Sequence, residues 1–365
     1  MPASETPRVA AIQALRGLAA LTVAAVHFVS GFLHYIDGRT FIPVGLSEQT
    51  ASAAVALFFM ISGCVMVLSA RALFGSWRGT GTFWRRRLVR VVPPYWIASG
   101  LFALVALWTG LPFEWTGFWH SLVFWIRPAA GASSVPFSLF LWPGWTLFYE
   151  LMFYALFGAA LVLGQRRAVI AATLVIVVAV MAGQIAPPDT LFLFAITRPV
   201  ALLFIPGMLF GIWLSARRTV PAALRWLALA GVPFAFALLP APSPDAPLGF
   251  GYVAWAGLPA LLVMVAAVGG PLRLAGVRAA TVMGDASYAI YLLHVPFAHA
   301  FMEVFNRDLS HPGGSLAGLV IGLPLLIALS AAFYHAVERP LTARLNHLGG
   351  DHRPARADLP HTLAP

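Results

Sequence analysis

Residues 12–32 read IQALRGLAALTVAAVHFVSGF, an apolar run interrupted by two ionisable side chains, Arg16 and His27. About 17–25 such residues suffice to cross a bilayer as helix. Runs of this kind recur along the whole 365-residue chain, which is 60% hydrophobic and only 10% charged, with a mean hydropathy of +0.84. A soluble domain this apolar could not cover its surface with polar groups. In hydrocarbon the backbone must satisfy its own hydrogen bonds, which leaves helices or a closed barrel. The runs are continuous, not alternating, and that excludes the barrel. The expected fold class is all-α, a polytopic transmembrane helical bundle.

Ten spans are read, at 12–32, 52–71, 91–110, 145–163, 168–184, 198–215, 223–239, 252–268, 286–305 and 316–337. The net charge is +10, every one of the 23 basic residues is Arg, and they concentrate in the short connections. That distribution signals topology, not a nucleic-acid-binding face. One side of the membrane collects Arg8, Arg71, Arg78, Arg85, Arg86, Arg87, Arg90, Arg166, Arg167, Arg217, Arg218, Arg225, Arg273, Arg278 and the C-terminal arginines. The other side holds Arg39, Arg127, Arg198 and Arg307 beside Asp37, Glu48, Glu114, Asp189, Asp245 and Asp308. The positive-inside rule then puts both termini in the cytoplasm. An odd number of spans would scramble this bias.

Residues 1–345 are expected to form one membrane domain, and 346–365 a disordered cytoplasmic tail. The first run lacks a persuasive cleavage site and is read as a retained helix. The single cysteine, Cys64, lies in an apolar run and is read as a packing residue. Residues 111–143 form the longest outer connection. Within it, 115–126 is aromatic-rich and too short to cross, which suits an interfacial or re-entrant segment. An eleventh span there would break the charge alternation. Residues 82–90 read as a helix entering the membrane, with Arg86, Arg87 and Arg90 at neighbouring positions.

An ionisable side chain inside a span is costly and marks a candidate site. Arg16 and His27 are 11 residues apart. At about 100° per residue they fall within about 20° of one stripe, roughly 16 Å apart along the axis. Taken alone, Arg16 also fits a snorkelling positive-inside residue, and His27 a core histidine bonded to a neighbouring helix. Glu150, in Trp145-Thr146-Leu147-Phe148-Tyr149-Glu150, lies five residues into the fourth span and is read at the depth of His27. A carboxylate that orients an imidazole is the usual support for a general base. A structural carboxylate paired elsewhere is the competing reading. Tyr291 and His294 stand one turn apart in the ninth span. Tyr334, His335, Glu338 and Arg339 near the cytoplasmic face suit interfacial anchoring, and Glu303 suits solvation. The sequence holds no Gly-rich phosphate loop, metal-ligand cluster or Gly-x-Ser-x-Gly elbow in a fitting context.

These residues resemble the acyltransferase-3 family of integral membrane acyltransferases, in the form seen in exopolysaccharide O-acetyltransferases. Leu15-Arg16-Gly17-Leu18-Ala19-Ala20 leading to His27 is similar to the first-helix signature. Phe58-Phe59-Met60-Ile61-Ser62-Gly63 resembles the paired-Phe, Ile-Ser-Gly pattern of the second helix. Arg87-Leu88-Val89-Arg90 resembles the family's Arg-x-x-Arg segment, and Pro94-Tyr95-Trp96 its Pro-x-Tyr-Trp segment. Residues 145–150 resemble the Trp-x-Leu-x-x-Glu segment. Tyr288 to His294 and Glu338-Arg339-Pro340 resemble the closing motifs, so the likeness runs in order from about residue 11 to 345.

The resemblance implies O-acylation, usually acetylation, of a glycan, a lipid-linked saccharide or another small acceptor, with acyl-CoA (acetyl-CoA) as cytoplasmic co-substrate and no bound cofactor or metal. It implies a bacterial inner membrane setting and a multi-pass catalytic domain over 1–345. Carried over, His27 is the base, Arg16 a site residue, and Arg86, Arg87, Arg90 and Tyr95 the donor-binding set. Tyr149, Tyr291 and His294 remain acceptor-binding or structural. The resemblance covers the membrane part and not the fused extracytoplasmic hydrolase-like domain of some members, so transfer is expected to use the membrane part alone or a separate partner. A proton-coupled transporter or flippase is the alternative, since buried Arg, His and Glu in ten spans also suit a carrier.

Overall fold

The computed structural model describes residues 7–37, 44–129, 135–270, 282–306 and 312–349. The chain is an all-α polytopic bundle, whose strands among the described residues are the two-residue β1 (Arg127–Pro128) and β2 (Phe137–Ser138). The helices are α1 (Pro7–Asp37), α2 (Val44–Ser69), α3 (Trp77–Thr109), α4 (Trp115–Leu122), α5 (Trp145–Ala160), α6 (Gln165–Ile185), α7 (Leu191–Ile196), α8 (Phe204–Ser215), α9 (Ala222–Leu238), α10 (Phe250–Val268), α11 (Ser287–Asn306), α12 (Pro312–Phe333) and α13 (Arg339–Leu348). Among the described residues, eight helical stretches are long and apolar enough to cross a membrane by length and composition. The other two expected spans are occupied by α9, at 17 residues, and by α11, at 20 residues. Tyr288, Tyr291, His294, His299 and Glu303 are what make α11 more polar than the rest.

Helix α2 is the most buried of these spans. Its contact with α8 needs a residue without a side chain: a Cβ on Gly63 would stand 2.4 Å from the Phe204 carbonyl oxygen. The glycine of the Ile-Ser-Gly segment is thus a packing residue, and Cys64 beside it is buried and free. Helix α3 begins earlier than the span read at 91–110. The Ser76 Oγ accepts from the Gly79 N–H at 2.9 Å and starts the helix, which runs unbroken through Pro93 and Pro94 for 33 residues. That is roughly 50 Å, well beyond the ~30 Å hydrocarbon core, so one end projects with its arginines. Gly110, at φ +72°, ends it by donating its N–H to the Ala106 carbonyl. A left-handed residue at this position is the glycine's role.

The segment read as interfacial or re-entrant contains α4, eight residues long, followed by the β1–β2 pair. An exposed Arg127–Glu114 ion pair of 2.7 Å spans its base. At the other end, the Arg85 guanidinium donates to the Asn346 carbonyl at 2.9 Å and ties α13 to α3. Residues 346–348 therefore belong to a helix, while the rest of the expected tail, from 350 on, lies outside the described residues.

Candidate active site

Five helices bring polar side chains around one cavity of about 80 Å³: Arg16 from α1, Ser62 from α2, Arg87 and Arg90 from α3, Glu150 and Tyr154 from α5, Tyr288 and Tyr291 from α11. This is room for several waters. Arg87 is only 4% exposed. Its Nη2 donates to the Ser69 Oγ at 2.5 Å, and its guanidinium carbon lies 5.6 Å from the Phe83 ring centre and 5.9 Å from that of Tyr154. Ring faces attract the cation but do not neutralise it. Arg16 Nη1 donates to the Gln13 Oε1 at 3.2 Å, and Gln13 Nε2 in turn donates to Asp285 Oδ1 at 2.9 Å. Glu150 Oε1 accepts from the Ser62 hydroxyl at 3.2 Å and from the Tyr154 hydroxyl. Three guanidiniums and one carboxylate make the lining electropositive.

His27 is partnered differently. Its Nδ1 stands 3.1 Å from the His294 Nε2, and the two rings are nearly parallel, 12° apart. Trp142 packs its ring at 72° to His27 with centroids 4.6 Å apart. His294 Nδ1 donates to the Tyr291 carbonyl at 2.7 Å. The Tyr291 hydroxyl donates to the Pro143 carbonyl at 2.7 Å and meets the Thr146 hydroxyl at 2.6 Å. Tyr291 thus belongs both to the cavity wall and to the support of the histidine pair.

The pairing of Glu150 with His27 suggested by the sequence is not what the structure shows. The level of His27 along the fourth span is that of Trp142, eight residues before Glu150. At 1.5 Å per residue this is about 12 Å, so Glu150 sits at the Arg16 end of the site. The sequence misplaces its depth because a 3₁₀ turn, Trp142–Gly144, precedes α5 and carries the outer end of the span. Its actual partners, Ser62 and Tyr154, differ in how visible they are in the sequence. Tyr154 is one turn along the same helix and is readable as an i,i+4 neighbour; Ser62, on another helix, is not.

Of the donor-binding set, Arg87 and Arg90 line the cavity and Arg86 does not. Tyr95 is fully buried elsewhere, its hydroxyl on the Ser121 hydroxyl of α4 and its ring 4.6 Å from that of Phe124. The Tyr149 hydroxyl donates to the Ala195 carbonyl at 2.8 Å, clamping α5 to α7 away from the cavity. Glu338 is not at a solvated interface either. It is 5% exposed in a π-helical turn, Tyr334–Glu338, between α12 and α13, within electrostatic reach of Arg16 and Arg90. His335 and Arg339 beside it are exposed, as interfacial anchors are. Among the described residues no group of three or more His, Cys, Asp or Glu could hold a metal ion.

Guanidiniums, a carboxylate and an imidazole pair, all carried by helices of the bundle, define a polytopic membrane protein with a polar interior. The chain belongs to the acyltransferase-3 family, whose model, described as an acyltransferase domain, matches residues 9–335. It is 32% identical over 311 residues to the exopolysaccharide production protein ExoZ of Rhizobium meliloti (strain 1021), a match that covers 80% of this chain and 90% of that relative. No solved structure matches it. The protein is accordingly a membrane acyltransferase by family.

Proposed function

We propose that this protein, in a bacterial inner membrane with both termini cytoplasmic, moves an acyl group from cytoplasmic acyl-CoA to a hydroxyl of a cell-surface glycan or lipid-linked saccharide. Acetyl is the acyl group and His27 the base. The observation that carries this reading is the electropositive cavity on the same stripe of α1 as His27, lined by Arg16, Arg87 and Arg90. Coenzyme A is polyanionic, and guanidiniums are bidentate partners for phosphate. Its thioester arm would run outward along α1, about 16 Å from the level of Arg16 to that of His27. There the acceptor hydroxyl gives its proton to the imidazole while its oxygen bonds the thioester carbonyl carbon. The C–S bond breaks, and the departing thiolate takes the proton back from the imidazolium. One ester and one free coenzyme thiol result.

Glu150 serves the donor end, where it balances the guanidinium charge. The name of the Rhizobium relative, an exopolysaccharide production protein, supports a glycan as acceptor. No specific observation favours the carrier over the enzyme. The test is purified protein in nanodiscs with labelled acetyl-CoA and a surface-saccharide fraction. Release of coenzyme thiol with label on the saccharide is expected, and its loss in His27→Ala. Native-like release in His27→Ala would remove His27 as the base, and absence of any donor binding would favour the carrier.

A further inference from the structure

The histidine pair sets its own tautomers. A backbone carbonyl only accepts a hydrogen bond, so the 2.7 Å contact with the Tyr291 oxygen places a proton on His294 Nδ1. In a neutral imidazole the other nitrogen is then a lone pair. His294 Nε2 can therefore only accept, and the donor across the 3.1 Å gap is His27 Nδ1. With its proton on Nδ1, His27 has a bare Nε2. We propose that His294 is the positioning residue of the transfer reaction, holding His27 by its Nδ1–H in the tautomer whose Nε2 takes the acceptor proton.

This rests on the acyltransferase reading and assigns His294 the part that a carboxylate plays beside the histidine of a Ser-His-Asp triad. The proton passes from the acceptor hydroxyl to His27 Nε2 and from there to the leaving thiolate, while His294 keeps its own proton on Nδ1 throughout. Once Nε2 is protonated, the Nδ1–H to His294 becomes a charge-assisted bond. No atom has to move for that gain. The division of labour follows from burial: His294 is 2% exposed, whereas His27 is half-buried and is the more open ring of the pair.

The surroundings hold the pair in register. A Cβ on Gly284 would come within 2.3 Å of the Gln13 carbonyl oxygen, so α1 approaches the start of α11 as closely as backbone allows. The Gln13–Asp285 bond of 2.9 Å locks the same contact. Trp142 lies against both rings, 4.6 Å from His27 and 6.2 Å from His294 between centroids, and opposes their rotation.

Two variants and one spectrum test this. His294→Gln places an amide oxygen near the former Nε2 and can still accept from His27; it should keep kcat within about tenfold of native. His294→Leu offers no acceptor and should lose on the order of 10³-fold in kcat with KM for acetyl-CoA unchanged, as expected when only orientation in the transition state is lost. In the native protein labelled with ¹⁵N-histidine, the His27 resonances, assigned by comparison with His27→Gln, should show a protonated Nδ1 and an unprotonated Nε2. Native kcat in His294→Leu, or a His27 ring protonated on Nε2 alone, would overturn the proposal. The spectrum needs no turnover: if native protein transferred no acetyl group, the enzyme reading would fail while the tautomer remained decided by its nitrogen shifts.

Discussion

The two ends of α1 face very different surroundings. Around Arg16 the neighbours are charged: Arg87, Arg90, Glu150 and the buried Glu338. Around His27 they are a second imidazole and an indole, with the Tyr291 carbonyl holding that second imidazole. One end can hold a polyanion by Coulomb attraction, and the other has an imidazole base and little charge to compete with it. Tyr291 separates the two and touches both. Arg16 and His27 are thereby kept roughly 16 Å apart along one rigid helix.

Substitutions at the two ends should therefore separate kinetically. The largest effect is expected for His27→Ala: turnover should fall by a factor on the order of 10²–10⁴, as removal of a general base does, with donor affinity measured by titration unchanged. Equal loss of donor affinity would merge the two regions into one. Next, Arg87→Ala should weaken acetyl-CoA binding by about 10–100-fold, the worth of a charge-assisted hydrogen bond or two, and Arg90→Ala similarly. Unchanged donor affinity in both would remove the phosphate role. Trp142→Ala should lower kcat by roughly threefold to tenfold, the value of one aromatic contact, and leave KM for the donor alone. Tyr149→Phe, outside both regions, should cost about 1–3 kcal/mol of stability by leaving the Ala195 carbonyl unsatisfied, visible as a lower Tm with native kinetics.

Hydropathy alone makes the helical bundle legible, because each crossing must be apolar over its own length. What it does not show is continuity across a break signal. Pro93 and Pro94 normally end a helix, yet α3 continues through both and carries Arg87 and Arg90 on the same rod as the span. Arg16 and His27 are readable as one stripe because they share a helix. The partner of His27 is not, since His294 is 267 residues away and nothing in helical periodicity links α1 to α11. The Tyr291–His294 spacing is visible, but the tyrosine acts through its backbone carbonyl as well as its hydroxyl. Glu338 is buried at the end of a π-turn that no pattern in the sequence marks, so its place at a span end suggests an interfacial residue instead.

The most direct measurement is a paired determination of acetyl-CoA affinity and single-turnover acetyl transfer on native, His27→Ala and Arg87→Ala protein in nanodiscs. Donor binding retained but transfer lost in His27→Ala, and donor binding weakened in Arg87→Ala, is the expected result. Native transfer in His27→Ala, or native donor affinity in Arg87→Ala, would contradict the separation of the two regions.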